Sequence, residues 1–215
     1  MSDRVLYLVD GFNLYHSIRA AMLDDGDDAG HRWLDLPAFC RSTLSMFGAQ
    51  RVHLERVVCF TALATHMDET KPDHTRRHRT YISALEAVGV EVVMSRFKKK
   101  MPLCRHCGRR SRHYEEKETD VALAVRLIAA FAKDECDAVA LVTGDTDILP
   151  ALRAVKLLYP ERTVGVVFPY RRHSNHLALV ADRGFRVGHD HYAKFQFPAA
   201  VPRPNGTVVL KPFDW

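Results

Sequence analysis

The stretch AVALVTGDTDILP at residues 138–150 constrains the fold of this chain more strongly than any other segment. It begins with a short apolar run and ends in a glycine turn, a pattern typical of a strand buried in a parallel sheet. Ligand sites in such sheets lie beyond the carboxyl ends of the strands, where Asp145 and Asp147 follow. Because residues i and i+2 of an extended chain point to the same side, both carboxylates can reach one point. Two charges in that crevice need a counterion such as a metal.

A simpler interpretation of this pair is that Asp147 caps the next helix and Asp145 belongs to a solvated turn. The start of the chain favours a site, because VLYLVDGFN at residues 5–13 has the same design. Its apolar strand ends in Asp10, and Asn13 then begins a helical pattern for which it is an adequate N-cap. Two such strands in a mostly parallel sheet would place Asp10 and Asp145 at one edge.

A third acidic residue, Asp120, precedes an apolar helical segment. Val121, Val125 and Ile128 are predicted to form the apolar stripe of that helix, widened by Ala124, Leu127 and Phe131, with Asp120 on the buried face at its first turn. A charge on a buried face needs a partner, which points to the same acidic site. The alternative is an acid that is favourable at this position only because of the helix dipole.

Three motifs now stand in order: V-D-G-x-N-L at 9–14, E-T-D-V-A-L-A-V at 118–125 and T-G-D-T-D-I-L-P at 143–150. Together they resemble the signatures of the NYN domain, in the LabA-like branch of the PIN-like ribonucleases. The resemblance spans residues 5 to about 188 and implies an α/β, Rossmann-like PIN fold with a mostly parallel central sheet and helices on both faces. It also implies a Mg²⁺ or Mn²⁺ site and RNA products with a 5′-phosphate and a 3′-hydroxyl. The family's acidic residues fall on Asp10, Asp120, Asp145 and Asp147, with Asn13 as the polar helper.

A basic run at residues 96–113 contains eight Lys or Arg and no acid, in a chain of net charge +5. Such a run is usually a solvated face, but this one immediately precedes the Asp120 helix, where a phosphate backbone would require cations. Tyr114 offers a face on which a base could stack. The predicted RNA-binding residues are Lys98, Lys99, Lys100, Arg105, Arg109, Arg110 and Arg112, with Arg171 and Arg172 after a later strand.

The same run contains Cys104 and Cys107, a C-x-x-C pair followed by glycine. Two thiolates at that spacing can hold one tetrahedral zinc ion, and His113 is the best third ligand, with His74 and His78 as alternatives. A metal-free pair of thiols and a redox pair remain open alternatives.

Strands and helices alternate along the rest of the chain at the spacing of right-handed crossover units. We predict a nuclease domain at residues 1–195 with the basic C-x-x-C insertion at about 96–114. Residues 196–215 contain four prolines and are predicted to be a tail with little structure of its own. A helix is predicted at 37–47. The odd number of cysteines and the lack of a membrane-spanning run favour a cytoplasmic protein, and a homodimer is left open.

The leading functional hypothesis is a metal-dependent ribonuclease. A phosphatase of the haloacid-dehalogenase type would need a second acid two residues after Asp10, where Phe12 stands. A non-catalytic RNA-binding module would be expected to have lost some of these carboxylates.

Overall fold

The structure is a computed structural model that describes residues 3–26, 30–48, 52–68, 70–103, 106–110, 113–213 and 215. For Pro72 and His113 it describes the backbone and not the surroundings of the side chain. Three residues of the predicted sites, Cys104, Arg105 and Arg112, lie outside the described residues.

Strands and helices alternate through most of the described chain. The strands are β1 (Asp3–Asp10), β2 (Val52–Ala62), β3 (Glu91–Lys100), β4 (His113–Lys117), β5 (Ala138–Val142), β6 (Thr163–Phe168), β7 (Arg183–Arg186), β8 (Ala200–Pro202) and β9 (Val208–Leu210). The helices are α1 (Gly11–Asp25), α2 (Leu36–Ser42), α3 (Pro72–Ala87), α4 (Thr119–Ala132), α5 (Leu149–Leu158) and α6 (Asn175–Val180).

Seven strands form one sheet in the order β4-β3-β2-β1-β5-β6-β7. All neighbouring pairs are parallel except β3 and β4, which are antiparallel. From the central strand β1 the chain first builds the sheet towards β4, and then returns to build β5, β6 and β7 on the other side. The order therefore reverses between β1 and β5, which is where open α/β sheets bind their ligands.

The two faces of β1 contribute to two separate apolar clusters. Val5, Tyr7 and Val9 pack on the side of α1, α2 and α3, whereas Leu6 and Leu8 pack on the side of α4, α5 and α6. A strand buried on both faces has to be apolar at every position, which explains the unbroken run at the start of the chain. This architecture confirms the predicted α/β fold with a mostly parallel central sheet and helices on both faces.

The predicted apolar stripe of α4 is wrong at its centre, although Leu127 and Phe131, predicted to widen it, are buried. Val121 and Val125 are 67% and 61% exposed, and the buried line is Leu123, Leu127, Ala130 and Phe131. Nearly every residue of this helix is apolar, so periodicity alone could not choose between two adjacent faces. Asp120 is exposed at the start of α4. It precedes Leu123 by three positions and Leu127 by seven, so it lies on the same side of the helix as these buried residues.

The prediction of a C-terminal segment with little structure is also wrong. Strands β8 and β9 pair as an antiparallel hairpin, and Phe197, Val201 and Val209 are buried in the cluster around α1 to α3. The indole Nε1–H of Trp33 donates to the carbonyl of Pro198 at 2.8 Å, which fixes the segment to the body of the protein. Proline content argues against long strands, but β8 and β9 are only three residues each, and Pro202 is accommodated as the last residue of β8.

The helix predicted at residues 37–47 is shorter than expected. Helix α2 ends at Ser42, and a separate 3₁₀ turn covers Leu44–Phe47. The Thr43 hydroxyl donates to the carbonyl of Cys40 at 3.0 Å and also bonds to the Tyr7 hydroxyl at 2.9 Å. This local bond competes with helix continuation, as threonine side chains commonly do.

Candidate active site

Three acidic side chains meet at the point where the strand order reverses. Asp10 ends β1, Asp145 follows β5, and Asp120 lies in the first turn of α4. One carboxylate oxygen from each lies within 4.8 Å of the others. We call these three residues the acidic triad. The structure thus brings together three of the four predicted metal ligands.

Asp10 is the buried member of the acidic triad, with 5% of its surface exposed. Its Oδ1 accepts the backbone N–H of Asn13 at 2.9 Å, so Asp10, and not Asn13, is the N-cap of α1. Its Oδ2 accepts the hydroxyl of Thr143 at 2.9 Å. Burial raises the pKa of Asp10, these hydrogen bonds lower it, and the charge of Asp145 raises it again.

The loop after β5 is held by a short relay of hydrogen bonds. The Thr143 hydroxyl, which donates to Asp10, accepts the backbone N–H of Asp145 at 3.0 Å. Asp145 Oδ1 in turn accepts the N–H of Asp147 at 3.0 Å, and so caps the 3₁₀ helix Thr146–Ile148. Asp145, and not Asp147 as the simpler interpretation proposed, therefore caps the turn after β5. Asp147 itself lies outside the acidic triad, although its charge contributes to the raised pKa of Asp120.

Asn13 ties the first helix to this loop. Its Oδ1 accepts the backbone N–H of Gly144 at 3.0 Å. Only glycine fits at position 144, because a Cβ there would lie 1.7 Å from the carbonyl oxygen of Arg172. The backbone of Arg172 therefore packs directly against Gly144, the residue before Asp145, and only the tertiary structure reveals this contact.

A fourth acid, Glu116 on β4, lies close enough to the triad to be influenced by it. Its pKa is raised to about 7 by burial first, and then by the charges of Asp120 and Asp10. The hydroxyl of Thr119 donates to its Oε1. Burial likewise raises the pKa of Asp120, and the charges of Asp145, Asp10 and Asp147 add to that effect. Sequence reasoning missed Glu116 because it treated residues 96–113 as a loop insertion and did not predict β4.

These acids form no ion pair with a basic residue in the described part of the chain. None of the ion pairs between described residues includes a member of the acidic triad, Glu116 or Asp147. Carboxylates held this close repel one another unless a cation lies between them. A set of carboxylate oxygens suits hard divalent ions such as Mg²⁺ and Mn²⁺. The residues present therefore fit such an ion.

The predicted basic run forms an antiparallel hairpin from β3 and β4. Phe97 pairs with Glu116, Lys98 with Glu115, and Lys99 with Tyr114. Paired residues share a face and successive residues alternate, so Lys99, Tyr114, Phe97 and Glu116 lie on one side. Lys98 and Lys100 lie on the opposite side, where Lys100 forms an ion pair with Glu115. Of the three lysines predicted to bind RNA, the structure places Lys99 on the face that carries Glu116.

The remaining predicted cations lie at different places. Arg109 and Arg110 are exposed at the tip of the hairpin. Arg171 adopts a left-handed backbone with φ 58° and pairs with Asp24 at 3.0 Å. The side chain of Arg172 is exposed and is involved in none of the ion pairs between described residues. Cys107 is exposed as a free thiol, and the zinc site predicted with Cys104 and His113 stays a prediction.

In the part of the chain that the structure describes, no helix has the length and apolar character needed to cross a membrane.

Comparison with solved structures supports the fold alone. A protein of unknown function from Vibrio parahaemolyticus is 20% identical, with a TM-score of 0.57 over 91% of this chain and 97% of that chain. A UDP-N-acetylglucosamine 2-epimerase is 14% identical, with a TM-score of 0.37 over 90% of this chain and 45% of its own. The second similarity is too low to carry an argument. No curated protein matches the sequence.

A family model gives a specific result. The model of the NYN domain matches residues 4–187, a range that contains the whole acidic triad and all three motifs. NYN domains are PIN-like, and they belong to a superfamily of nucleases. The LabA-like branch stays a prediction. The match covers most of the chain, and this protein therefore belongs to the NYN domain family.

Proposed function

We propose that this protein is a Mg²⁺- or Mn²⁺-dependent ribonuclease that hydrolyses phosphodiester bonds within RNA chains. The observation that carries this proposal is the acidic triad, with three carboxylate oxygens within 4.8 Å of one another at the point where the strand order reverses. Membership of the NYN domain family supports nuclease chemistry. The basic hairpin beside the triad supports a polyanionic substrate.

Asp10, Asp120 and Asp145 would hold the metal ion, and the buried Asp10 would be the most rigid ligand because both its oxygens accept hydrogen bonds. A bound divalent ion would supply Lewis acidity at the phosphate and an activated water. Asp147 remains a candidate ligand for a second ion. Asn13 would act by holding the Gly144 loop in place, because its amide oxygen is already engaged there.

The substrate would lie along the face of the hairpin that carries Lys99. Lys99 on one side of the triad and Arg172 on the other would contact phosphates of the RNA backbone. The further contacts predicted at Lys98, Lys100, Arg109, Arg110 and Arg171 would lie outside this central path. RNA as the partner, a cytoplasmic location and a homodimer remain predictions.

Two alternatives differ from this proposal in their chemistry. A non-catalytic RNA-binding module would bind RNA through the same hairpin without cleaving it. A haloacid-dehalogenase-type phosphatase would need a carboxylate where Phe12 stands, and the ring of Phe12 packs edge-on against Phe97 at 5.7 Å. A structural Zn²⁺ on Cys104, Cys107 and His113 is a separate prediction, which metal analysis of the purified protein would check.

The test is incubation with structured and unstructured RNA, with and without Mn²⁺, followed by mapping of the cut ends. We expect Mn²⁺-dependent cleavage that leaves a 5′-phosphate and a 3′-hydroxyl, and no cleavage by Asp145→Asn. RNA that is bound and left intact under all conditions would favour the non-catalytic module. Cleavage that persists in EDTA would show that the triad does not act through a metal.

A further inference from the structure

Four rings form a continuous row beside the acidic triad. Phe12 meets Phe97 edge-on with centroids 5.7 Å apart, and Phe97 meets His66 edge-on at 4.8 Å. His66 then stacks on Tyr114, with centroids 3.9 Å apart and planes 12° from parallel. We call these four residues the ring row.

The ring row begins at the triad and leads away from it. Phe12 is two residues after Asp10, and Phe97 pairs directly with Glu116, whose pKa responds to the triad. Tyr114 is two residues before Glu116 on the same strand and therefore on the same face. The row thus runs along the hairpin face from the acidic triad to Tyr114.

The outer end of the row lies at the protein surface. Tyr114 is 37% exposed, and the other three rings are partly exposed, unlike the core residue Trp33, which has no exposed surface. His66 covers one face of the Tyr114 ring in near-parallel stacking, and the exposure of Tyr114 leaves part of the residue accessible from solvent. A flat aromatic face at the surface is what nucleic-acid-binding proteins use to stack an unpaired base.

A cation lies next to this face. Lys99 pairs directly with Tyr114 across the hairpin, so both side chains project to the same side. No ion pair between described residues includes Lys99, whereas Lys100 on the opposite face is paired with Glu115. An aromatic ring with an unpaired lysine beside it can bind a base and its phosphate together.

We propose that the stacked pair of His66 and Tyr114 is a binding subsite for one unpaired nucleobase of the RNA, with Lys99 on the adjoining phosphate. This inference rests on the proposed function and deepens it, because it assigns a single-stranded segment to the hairpin side of the cleavage site. The subsite selects for an accessible base and not for its identity, since every base has a face that can stack.

The test measures the contribution of the base itself. Binding of a fluorescent RNA oligonucleotide and of the same oligonucleotide with abasic ribose units is measured by anisotropy in EDTA, so that cleavage does not interfere. We expect Tyr114→Ala to weaken binding of the base-containing oligonucleotide by about 5- to 150-fold, with an unchanged salt dependence. Tyr114→Phe, which keeps the ring, should bind as the wild type does. Wild type and Tyr114→Ala should bind the abasic oligonucleotide equally.

Phe213→Ala is the matched control, because it removes a fully exposed aromatic ring near the C-terminus, and it should bind both oligonucleotides as the wild type does. Equal losses on both oligonucleotides would show that Tyr114 only supports the hairpin, and no loss on either would remove it from the interface. Both results overturn the proposal. Wild-type cleavage without base-dependent binding would overturn the subsite and keep the nuclease. Base-dependent binding without any cleavage would overturn the nuclease and keep the subsite.

Discussion

Replacement of Asp120 by asparagine tests whether this residue acts in the acidic site or only stabilises its helix. Asparagine has nearly the same shape as aspartate, but it has no charge and binds divalent ions poorly. In the metal-free protein the Asp120 carboxylate lies within 4.8 Å of two others. At that distance one repulsion costs about 0.9 kcal/mol in a water-like dielectric and about 3.5 kcal/mol at an effective dielectric near 20. Because Asp120 is exposed, the lower value applies, and two repulsions amount to about 2 kcal/mol.

A smaller effect acts in the opposite direction. An acid in the first turn of a helix gains about 0.3–1 kcal/mol from the helix dipole, and Asp120→Asn loses this contribution. The net change is a stabilisation of about 1–1.5 kcal/mol, or a rise in Tm of about 2–6 °C for a chain of this size. The assay is a thermal melt in EDTA beside an RNA cleavage assay with Mn²⁺. We expect a higher melting temperature and no cleavage.

Asp73→Asn is the matched control, because Asp73 is also in the first turn of a helix but pairs with Arg76 at 2.8 Å. It loses the dipole contribution and an exposed ion pair, so it should melt slightly lower and cleave normally. If Asp120→Asn behaved in the same way as this control, Asp120 would be a helix-terminal charge without a role in the site.

Three other predictions follow from the site. Lys99→Ala should lower the salt slope of single-strand binding by about 0.7, while Lys117→Ala, which lies on the opposite face, should leave it unchanged. In EDTA, the wild-type protein should lose stability as the pH rises from about 4.5 to about 7, because the unfolded chain releases the proton of Glu116 over this range while the folded protein keeps it. Glu116→Gln has no such proton, so the melting temperature of this variant should fall less than that of the wild type over the same range. Gly144→Ala should lower both the Tm and the affinity for Mn²⁺ measured by calorimetry, since the new methyl group collides with the backbone of Arg172; an unchanged Tm would show that the loop relaxes freely.

The central part of the fold was predictable because its strands are buried on both faces. Val5 to Val9 and Ala138 to Val142 are unbroken apolar runs; Asp10 follows the first directly, and Asp145 follows the second after Thr143 and Gly144. Local sequence therefore indicated both the strands and the edge at which Asp10 and Asp145 meet. Rotation of α4 was not predictable, because apolar residues surround most of that helix and only contact with the sheet selects Leu123 and Leu127.

The hairpin was missed for a different physical reason. Strand β4 consists of His113, Tyr114, Glu115, Glu116 and Lys117, which have no apolar alternation. Its register comes from pairing with β3 and from contacts such as that of Tyr114 with His66, which is 48 residues away in sequence. Glu116 and the ring row depend on these long-range contacts, so no local pattern could reveal them. The RNA-binding role of the basic run stays a prediction, and the face that each lysine occupies could only come from the structure.

The most direct test of the metal-dependent site is anomalous diffraction from crystals soaked in Mn²⁺. We expect a peak at coordination distance from carboxylate oxygens of Asp10, Asp120 and Asp145, and no such peak in crystals of Asp145→Asn. A strong peak at another place, or no peak beside the acidic triad at a Mn²⁺ concentration that supports cleavage, would contradict the account.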